Sequence, residues 1–197
     1  MPKSTQVLIL LDRSGSMKTL WDEALSSINA YVDQLDPKTK INFAVFDSNS
    51  YDVIRNCLVK DWTALNPESI VPRGMTPLYD SIARSINTAE SINAPKTVLV
   101  VMTDGFENAS KTTNLWTVKE KLKAFEDRGW QVVMLGANFD SIEDVTKQLG
   151  LKKSKGADFR QDTMVMNMSD LGIRTMAYAA TGAAIEYSDT DKTRLGL

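Results

Sequence analysis

Histidine is absent from the 197 residues, and cysteine occurs once, at Cys57. Without histidine there can be no histidine triad, no His-ligated zinc and no imidazole acid–base step. A single cysteine excludes an intrachain disulfide, a cysteine-rich zinc site and an iron–sulfur centre. Excess positive charge is missing too: 23 Lys and Arg stand against 25 Asp and Glu, a formal net charge of −2. A dedicated nucleic-acid binder needs a basic footprint, and no interleaving of aromatic and basic residues replaces it, so no nucleic-acid partner is expected. Long apolar runs are also lacking. The best are VLILL at residues 7–11 and VLVVM at residues 98–102, far short of a membrane span, so no membrane contact is expected. The first run ends in Asp12, which spoils it as a signal-peptide core. Together with the lone Cys57, this makes the cytoplasm the expected compartment.

What is present is ordinary globular material, with 43% hydrophobic and 24% charged residues, enough for one closed core. We expect a single domain over residues 1–187 and a frayed, polar tail over 188–197. Residues 5–11 read as a buried strand. Leu20, Trp21, Ala24, Leu25, Ile28, Tyr31, Val32 and Leu35 recur in steps of three and four, a helix face that Pro37 terminates. Residues 40–46 form a second strand. Residues 51–62 alternate after the SNS turn signal and read as its antiparallel partner at the sheet edge. The pattern then gives a helix over 77–92, a strand buried on both faces over 97–103 and a helix over 114–128 stopped by Gly129. A strand at 130–135 follows, then a helix over 140–149 opened by an Asp140–Glu143 capping box. A weak edge strand falls within 152–161, where Lys152, Lys153, Lys155 and Arg160 read as a solvated edge. A last helix over 169–187, rich in alanine and glycine, is expected to pack on the sheet.

Strands alternating with helices imply an α/β fold with a doubly wound, mostly parallel sheet covered on both faces. In such sheets, ligands bind beyond the carboxyl ends of the strands, at the switch point between the two halves. The two strands expected there each run into a polar loop containing an aspartate. The first loop reads LLDRSGSM, with Asp12, Ser14 and Ser16 at alternate positions; the second reads MTDGFEN, with Asp104 at the strand end. Between them, RGMTPLYD puts Thr76 just before a helix. Two carboxylates and three hydroxyls are hard oxygen donors, suited to Mg²⁺, Mn²⁺ or Ca²⁺. Two acids and neutral hydroxyls do not fill six positions unaided, so such an ion keeps an exchangeable one. Arg13 reads as a solvated neighbour of this site, Glu107 and Asn108 as loop polarity, and Asp47 as a weaker candidate ligand. Thr76 followed by Pro77 also reads as a helix N-cap.

These motifs resemble those of the von Willebrand factor A (vWA) family. DRSGSM at 12–17 is similar to the family's DxSxS signature, TDG at 103–105 to its second aspartate motif, and Thr76 in GMTPLYDSI to its lone threonine. The resemblance runs from about Val7 to Gly136. It implies a Rossmann-like fold with a central six-stranded sheet, one edge strand antiparallel, and helices on both faces. It implies that Asp12, Ser14, Ser16, Thr76 and Asp104 form a metal-ion-dependent adhesion site, with Mg²⁺ the natural ion of a cytoplasm. It also implies a non-enzymatic module whose protein partner supplies Asp or Glu to the metal, self-association being one form of this. Compact chains of this kind look closest to bacterial or phage members.

Three other functions stand against this one. A Mg²⁺-dependent phosphatase of the dehalogenase type would attack with Asp12, but it wants a second acid where Ser14 stands. A nucleic-acid scaffold is opposed by the charge balance. A serine hydrolase is weaker still, since RSGSM is not the nucleophile-elbow pattern and no histidine can act as base.

Overall fold

Val7, Ile9 and Leu11 project to one side of the first strand and Leu8 and Leu10 to the other, and all five are buried. A strand apolar on both faces needs cover on both, and that requirement organises the molecule. The structure is a computed structural model and describes residues 5–137 and 142–195. Its strands are β1 (Thr5–Asp12), β2 (Lys40–Phe46), β3 (Tyr51–Leu58), β4 (Lys96–Thr103), β5 (Gln131–Ala137) and β6 (Gly156–Phe159). Its helices are α1 (Trp21–Val32), α2 (Leu78–Ile92), α3 (Leu115–Asp127), α4 (Ile142–Gln148), α5 (Met164–Thr181) and α6 (Asp189–Leu195).

The six strands lie in the order β3-β2-β1-β4-β5-β6. All pairs are parallel except β2 with β3. This is the expected α/β sheet with one antiparallel edge strand. The odd residues of β1 enter one core with Leu25 and Ile28 of α1 and Met168 and Leu171 of α5. The even residues enter a second core with Ile82 and Ile86 of α2 and Val118 and Leu122 of α3. With β1 and β4 central and adjacent, their carboxyl ends open side by side. No helix among the described residues is long and apolar enough to cross a membrane.

Four expectations are corrected at the chain's later end. The helix expected over 169–187 is α5, and it stops at Thr181 because Gly182 takes a left-handed conformation (φ 82°). Residues 183–187 leave the helix: Ile185 N donates to Gln131 Oε1 and Tyr187 N to Ser154 O. The alanines at 177, 180, 183 and 184 are exposed rather than packed on the sheet. The tail expected to fray contains α6, whose Leu195 is buried and whose Asp191 pairs with Arg174 at 2.8 Å. Lys155, expected on a solvated edge, is buried and donates to Gln131 Oε1 and Ile185 O, both at 2.9 Å. The Asp140 capping position lies outside the described residues.

Candidate functional site

Asp12 is the last residue of β1, and Asp104 follows the last residue of β4. These strands are neighbours in register, Leu11 opposite Met102, so both carboxylates arrive at the same end of the sheet. Ser14 and Ser16 follow on a loop that tightens into a 3-10 helix (Gly15–Leu20). Thr76 comes from the segment entering α2.

The five side chains meet. Ser14 Oγ and Ser16 Oγ share a hydrogen bond of 3.1 Å, and Ser16 Oγ donates to Asp104 Oδ1 at 2.8 Å. Thr76 Oγ1 donates to Asp12 Oδ2 at 3.3 Å. The Ser14 backbone N–H donates to the other oxygen, Oδ1, at 2.7 Å. Burial grades across the group: Asp12, Ser14 and Thr76 are buried, Asp104 is half-buried and Ser16 is exposed. The arrangement is a shallow cup with Asp12 at its floor and Ser16 and Asp104 at its mouth.

Burial raises the Asp12 carboxyl to about 6, against the lowering effect of hydrogen bonds from Thr103 and Ser14 and with a further push from the Asp104 charge. Asp104 is raised as well, again by burial. Two carboxylates held in partial desolvation are poorly compensated by hydroxyls alone. The hydroxyls of Ser16 and Thr76 direct their protons at carboxylates, which leaves their oxygen lone pairs to face a cation. The donor set therefore fits a hard divalent ion. Among the described residues no group of three or more acidic, cysteine or histidine side chains is placed to hold a metal, so any such site here relies on hydroxyl oxygen.

Thr103 was not among the expected site residues. Its Oγ1 donates to Asp12 Oδ2 at 2.7 Å and accepts from the Gly105 N–H. The signal was a hydroxyl closing the apolar run of β4, since a buried polar group needs a partner.

Several neighbours differ from expectation. Arg13 is buried, donating to Asp47 Oδ2 at 2.9 Å and to Ser50 Oγ and Asp52 Oδ2 at 2.7 Å. Asp47 also accepts from Arg73 Nε at 3.1 Å. Burial pushes the Asp47 carboxyl up, but the Asn49 amide, Arg73 and Arg13 outweigh it and hold it below the ordinary value. Asp47 is thus a structural anion shared by two arginines. Backbone bonds reinforce this clamp: Arg73 N donates to Arg13 O at 2.8 Å and Gly15 N to Gly74 O at 3.1 Å. The Asp12–Ser16 loop, the β2–β3 turn and the segment before Thr76 are in this way joined.

Thr76 is not the N-cap of α2; Pro77 stands there and makes no side-chain cap. The helix start is satisfied from the β4–α3 loop instead. Glu107 Oε2 accepts from Tyr79 N at 2.8 Å and Ser110 Oγ from Asp80 N at 3.0 Å. Asn108 exchanges two bonds with Thr76, its Oδ1 accepting at 2.8 Å and its N–H donating at 3.1 Å. Glu107 and Asn108 thereby fix the position of Thr76 relative to Asp104. Of the tryptophans, Trp21 and Trp130 are buried and Trp62 is half-buried, edge-on to Phe43, while Trp116 is exposed.

A family model described as "VWA domain containing CoxE-like protein" matches residues 2–149. No curated protein sequence matches the chain. Among solved structures, the chain is similar to a von Willebrand factor type A protein from Catenulispora acidiphila (14% identity, TM-score 0.67), covering 88% of this chain and 43% of that one. It is similar to the pilus adhesin SpaC from Lactobacillus rhamnosus GG (10% identity, TM-score 0.73), covering 88% of this chain and 31% of the adhesin. It is also similar to the vWF domain of the type V pili tip protein Mfa5 from Porphyromonas gingivalis (8% identity, TM-score 0.73), covering 96% of this chain and 98% of that domain. The chain thus spans less than half the length of the first two, and at these identities the likeness is one of fold.

Proposed function

The chain belongs to the family of VWA domain containing CoxE-like proteins, and from that premise we propose that it is a non-enzymatic module that binds an acidic protein partner through a divalent cation. vWA domains are a protein-interaction family, and this chain carries their fold. In this reading Asp12, Ser14, Ser16, Thr76 and Asp104 hold the ion, with Mg²⁺ first and Mn²⁺ or Ca²⁺ as alternatives. The bound ion supplies one Lewis-acidic position, and a partner's Asp or Glu completes it. The chain's own residues do the rest. Asp12 and Asp104 offset the cation's charge, and the hydroxyls supply neutral oxygen. The Arg13–Asp47–Arg73 clamp and the Thr76–Asn108 pair keep the three loops together.

The observation that carries this reading is the convergence of five oxygen-bearing side chains from three loops. Ser16 links Ser14 and Asp104, and Asp12 accepts from Thr76. The open end of the cup, at Ser16 and Asp104, is where a partner's acid enters. The phosphatase alternative is disfavoured by the same geometry. Asp12 is 0% exposed and both its oxygens accept hydrogen bonds, which blunts it as a nucleophile. A cytoplasmic setting, where Mg²⁺ is abundant, is part of the proposal.

The test is calorimetric titration of chelator-stripped protein with Mg²⁺, Mn²⁺ and Ca²⁺, repeated with acetate present. One saturable site, lost in Asp104→Ala and Asp12→Asn, is the expected result. Absence of binding by all three ions, with and without acetate, overturns the reading.

A further inference from the structure

A cleft of about 380 Å³ opens between the β2–β3 turn, α2 and the β4–α3 loop, and none of the five residues of the cup lines it. Small-ligand sites run to roughly 300–1,000 Å³, so the cleft is large enough to hold one. Its charged lining is two acids, Asp47 and Asp80, and two cations, Arg84 and Lys111. The acids and the cations are not equally free.

Both acids are engaged by the fold. Asp47 is shared by Arg13 and Arg73. Asp80 Oδ2 accepts from Lys111 N at 2.8 Å, and its Oδ1 accepts from Thr113 N and Thr112 Oγ1, each at 2.6 Å. By contrast, neither Arg84 nor Lys111 forms an ion pair or donates a side-chain hydrogen bond among the described residues. A lone surface cation is ordinarily just solvated. Arg84 differs in being held: its guanidinium carbon lies 4.3 Å from the centroid of the Tyr51 ring, and the Tyr51 hydroxyl shares a 2.9 Å hydrogen bond with Ser85 Oγ. A guanidinium steadied against a ring keeps its N–H fork available for an oxyanion. Lys111 has its backbone fixed by the bond to Asp80. Asn87 adds a neutral donor to the lining: its Oδ1 accepts from Lys121 Nζ at 2.8 Å, which leaves its amide N–H groups for a ligand.

We propose that this cleft is a second binding site, independent of any metal, for a phosphate monoester group held by Arg84 and Lys111. Two uncompensated cations match a group that carries about −1.5 to −2 at neutral pH, whereas a carboxylate leaves one of them unmatched. The Arg84 fork takes two oxygens of the group and the Lys111 ammonium a third. The site does not depend on the metal reading above, since it shares no ligand with the cup.

The experiment is an NMR titration of the isotope-labelled full chain, in chelator and at constant ionic strength, with inorganic phosphate, capped phosphoserine and capped glutamate. Saturable amide shifts are expected at Tyr51, Arg84 and residues 111–113 with both phosphates, and weaker ones with glutamate. Arg84→Gln and Lys111→Gln should each weaken phosphate binding at least about tenfold, the loss of one charged hydrogen bond. Lys123→Gln removes an exposed cation of α3 that pairs with Asp127, and should leave binding unchanged. Phosphoserine binding tighter than inorganic phosphate supports a ligand that bears its phosphate on a larger group; equal binding supports a site for the phosphate alone. Glutamate binding as tightly as phosphate overturns the match of two charges. Shifts that do not saturate, that centre on Ser14, Ser16 and Asp104, or that weaken equally in Lys123→Gln overturn the site. All of these outcomes are read without metal, so the metal reading stands or falls separately by its own calorimetric test.

Discussion

Thr103 Oγ1 donates to Asp12 Oδ2 at 2.7 Å, so the last residue of β4 holds the carboxylate that ends β1. The bond crosses the seam between the two central strands and is buried on both sides. It also lowers the Asp12 carboxyl against the effect of burial. Thr103→Val keeps the shape and removes the donor. The expected cost is about 1–3 kcal/mol, the usual range for leaving a buried acceptor short of a partner. Urea denaturation reads that loss. Calorimetry should show weaker Mg²⁺ binding as well, because the carboxylate becomes harder to ionise. An unchanged midpoint together with unchanged affinity would remove Thr103 from the site.

The raised Asp12 carboxyl sets a pH dependence whose sign is unusual for an aspartate. Its folded value is about 6 and its ordinary value is 3.8, so between the two the folded state holds the proton more tightly. Stability of the metal-free protein therefore rises as pH falls from neutral through about 6 toward 3.8. The gap corresponds to roughly 3 kcal/mol at most, and Asp104 pushes in the same direction. Asp47, Asp52 and Asp80 have lowered carboxyls, so their stabilisation is lost only at still lower pH. Thermal unfolding in chelator should show a higher midpoint at mildly acidic than at neutral pH, with the slope flattened in Asp12→Asn. Saturating Mg²⁺ should reverse the slope, since the ion competes with the proton. A chelator profile that falls with acid throughout this window would contradict the assignment.

The clamp behind the cup predicts a ranking of substitutions. Arg13→Met leaves the fully buried Asp47 side chain without its buried partner, and Asp52 loses its arginine too. Breaking a buried pair from one side costs about 3–5 kcal/mol. Arg73 reaches the same carboxylate from a side chain that is half in water, so Arg73→Ala should cost no more than about 1 kcal/mol. Chemical denaturation of the two variants should separate them clearly. Equal losses would mean that Arg13 is not the principal partner of Asp47.

Much of this was legible in the sequence because it depends on local pattern. The apolar runs of β1 and β4 each end in a polar, aspartate-bearing loop, and those two facts locate the cup. What the pattern missed was decided by contacts distant in sequence. Arg13 looked solvated because nothing nearby in the chain foretells Asp47 or Asp52, which arrive from the β2–β3 turn. Thr76 looked like a helix cap because Thr-Pro is a good local cap; Glu107 and Ser110 took over that task and left the hydroxyl for Asp12. Lys155 looked like an edge cation until the extended segment after Gly182 brought the Ile185 carbonyl to it. The alanine-rich stretch misled most, because small residues signal that close packing is allowed, and α5 makes a close approach to α1 earlier, at Gly172.

At Gly172 a Cβ would sit 2.6 Å from Gln34 Cβ and 3.0 Å from Tyr31 O, at the end of α1. Neither neighbour is a free side-chain tip, so α1 and α5 would have to separate. The seam between them also carries the buried Tyr31–Thr175 hydrogen bond of 3.0 Å, which separation would stretch. Gly172→Ala is therefore expected to destabilise the fold by about 1–3 kcal/mol, the range for overpacking, although alanine is the better helix former. Ala177→Gly, at an exposed position of the same helix, should cost roughly 1 kcal/mol through propensity alone. Denaturation midpoints compare the two, and tyrosine fluorescence or hydrogen exchange near Tyr31 locates the damage. If Gly172→Ala is neutral or stabilising, the two helices are not in the close contact described, and α5 is free to move on α1.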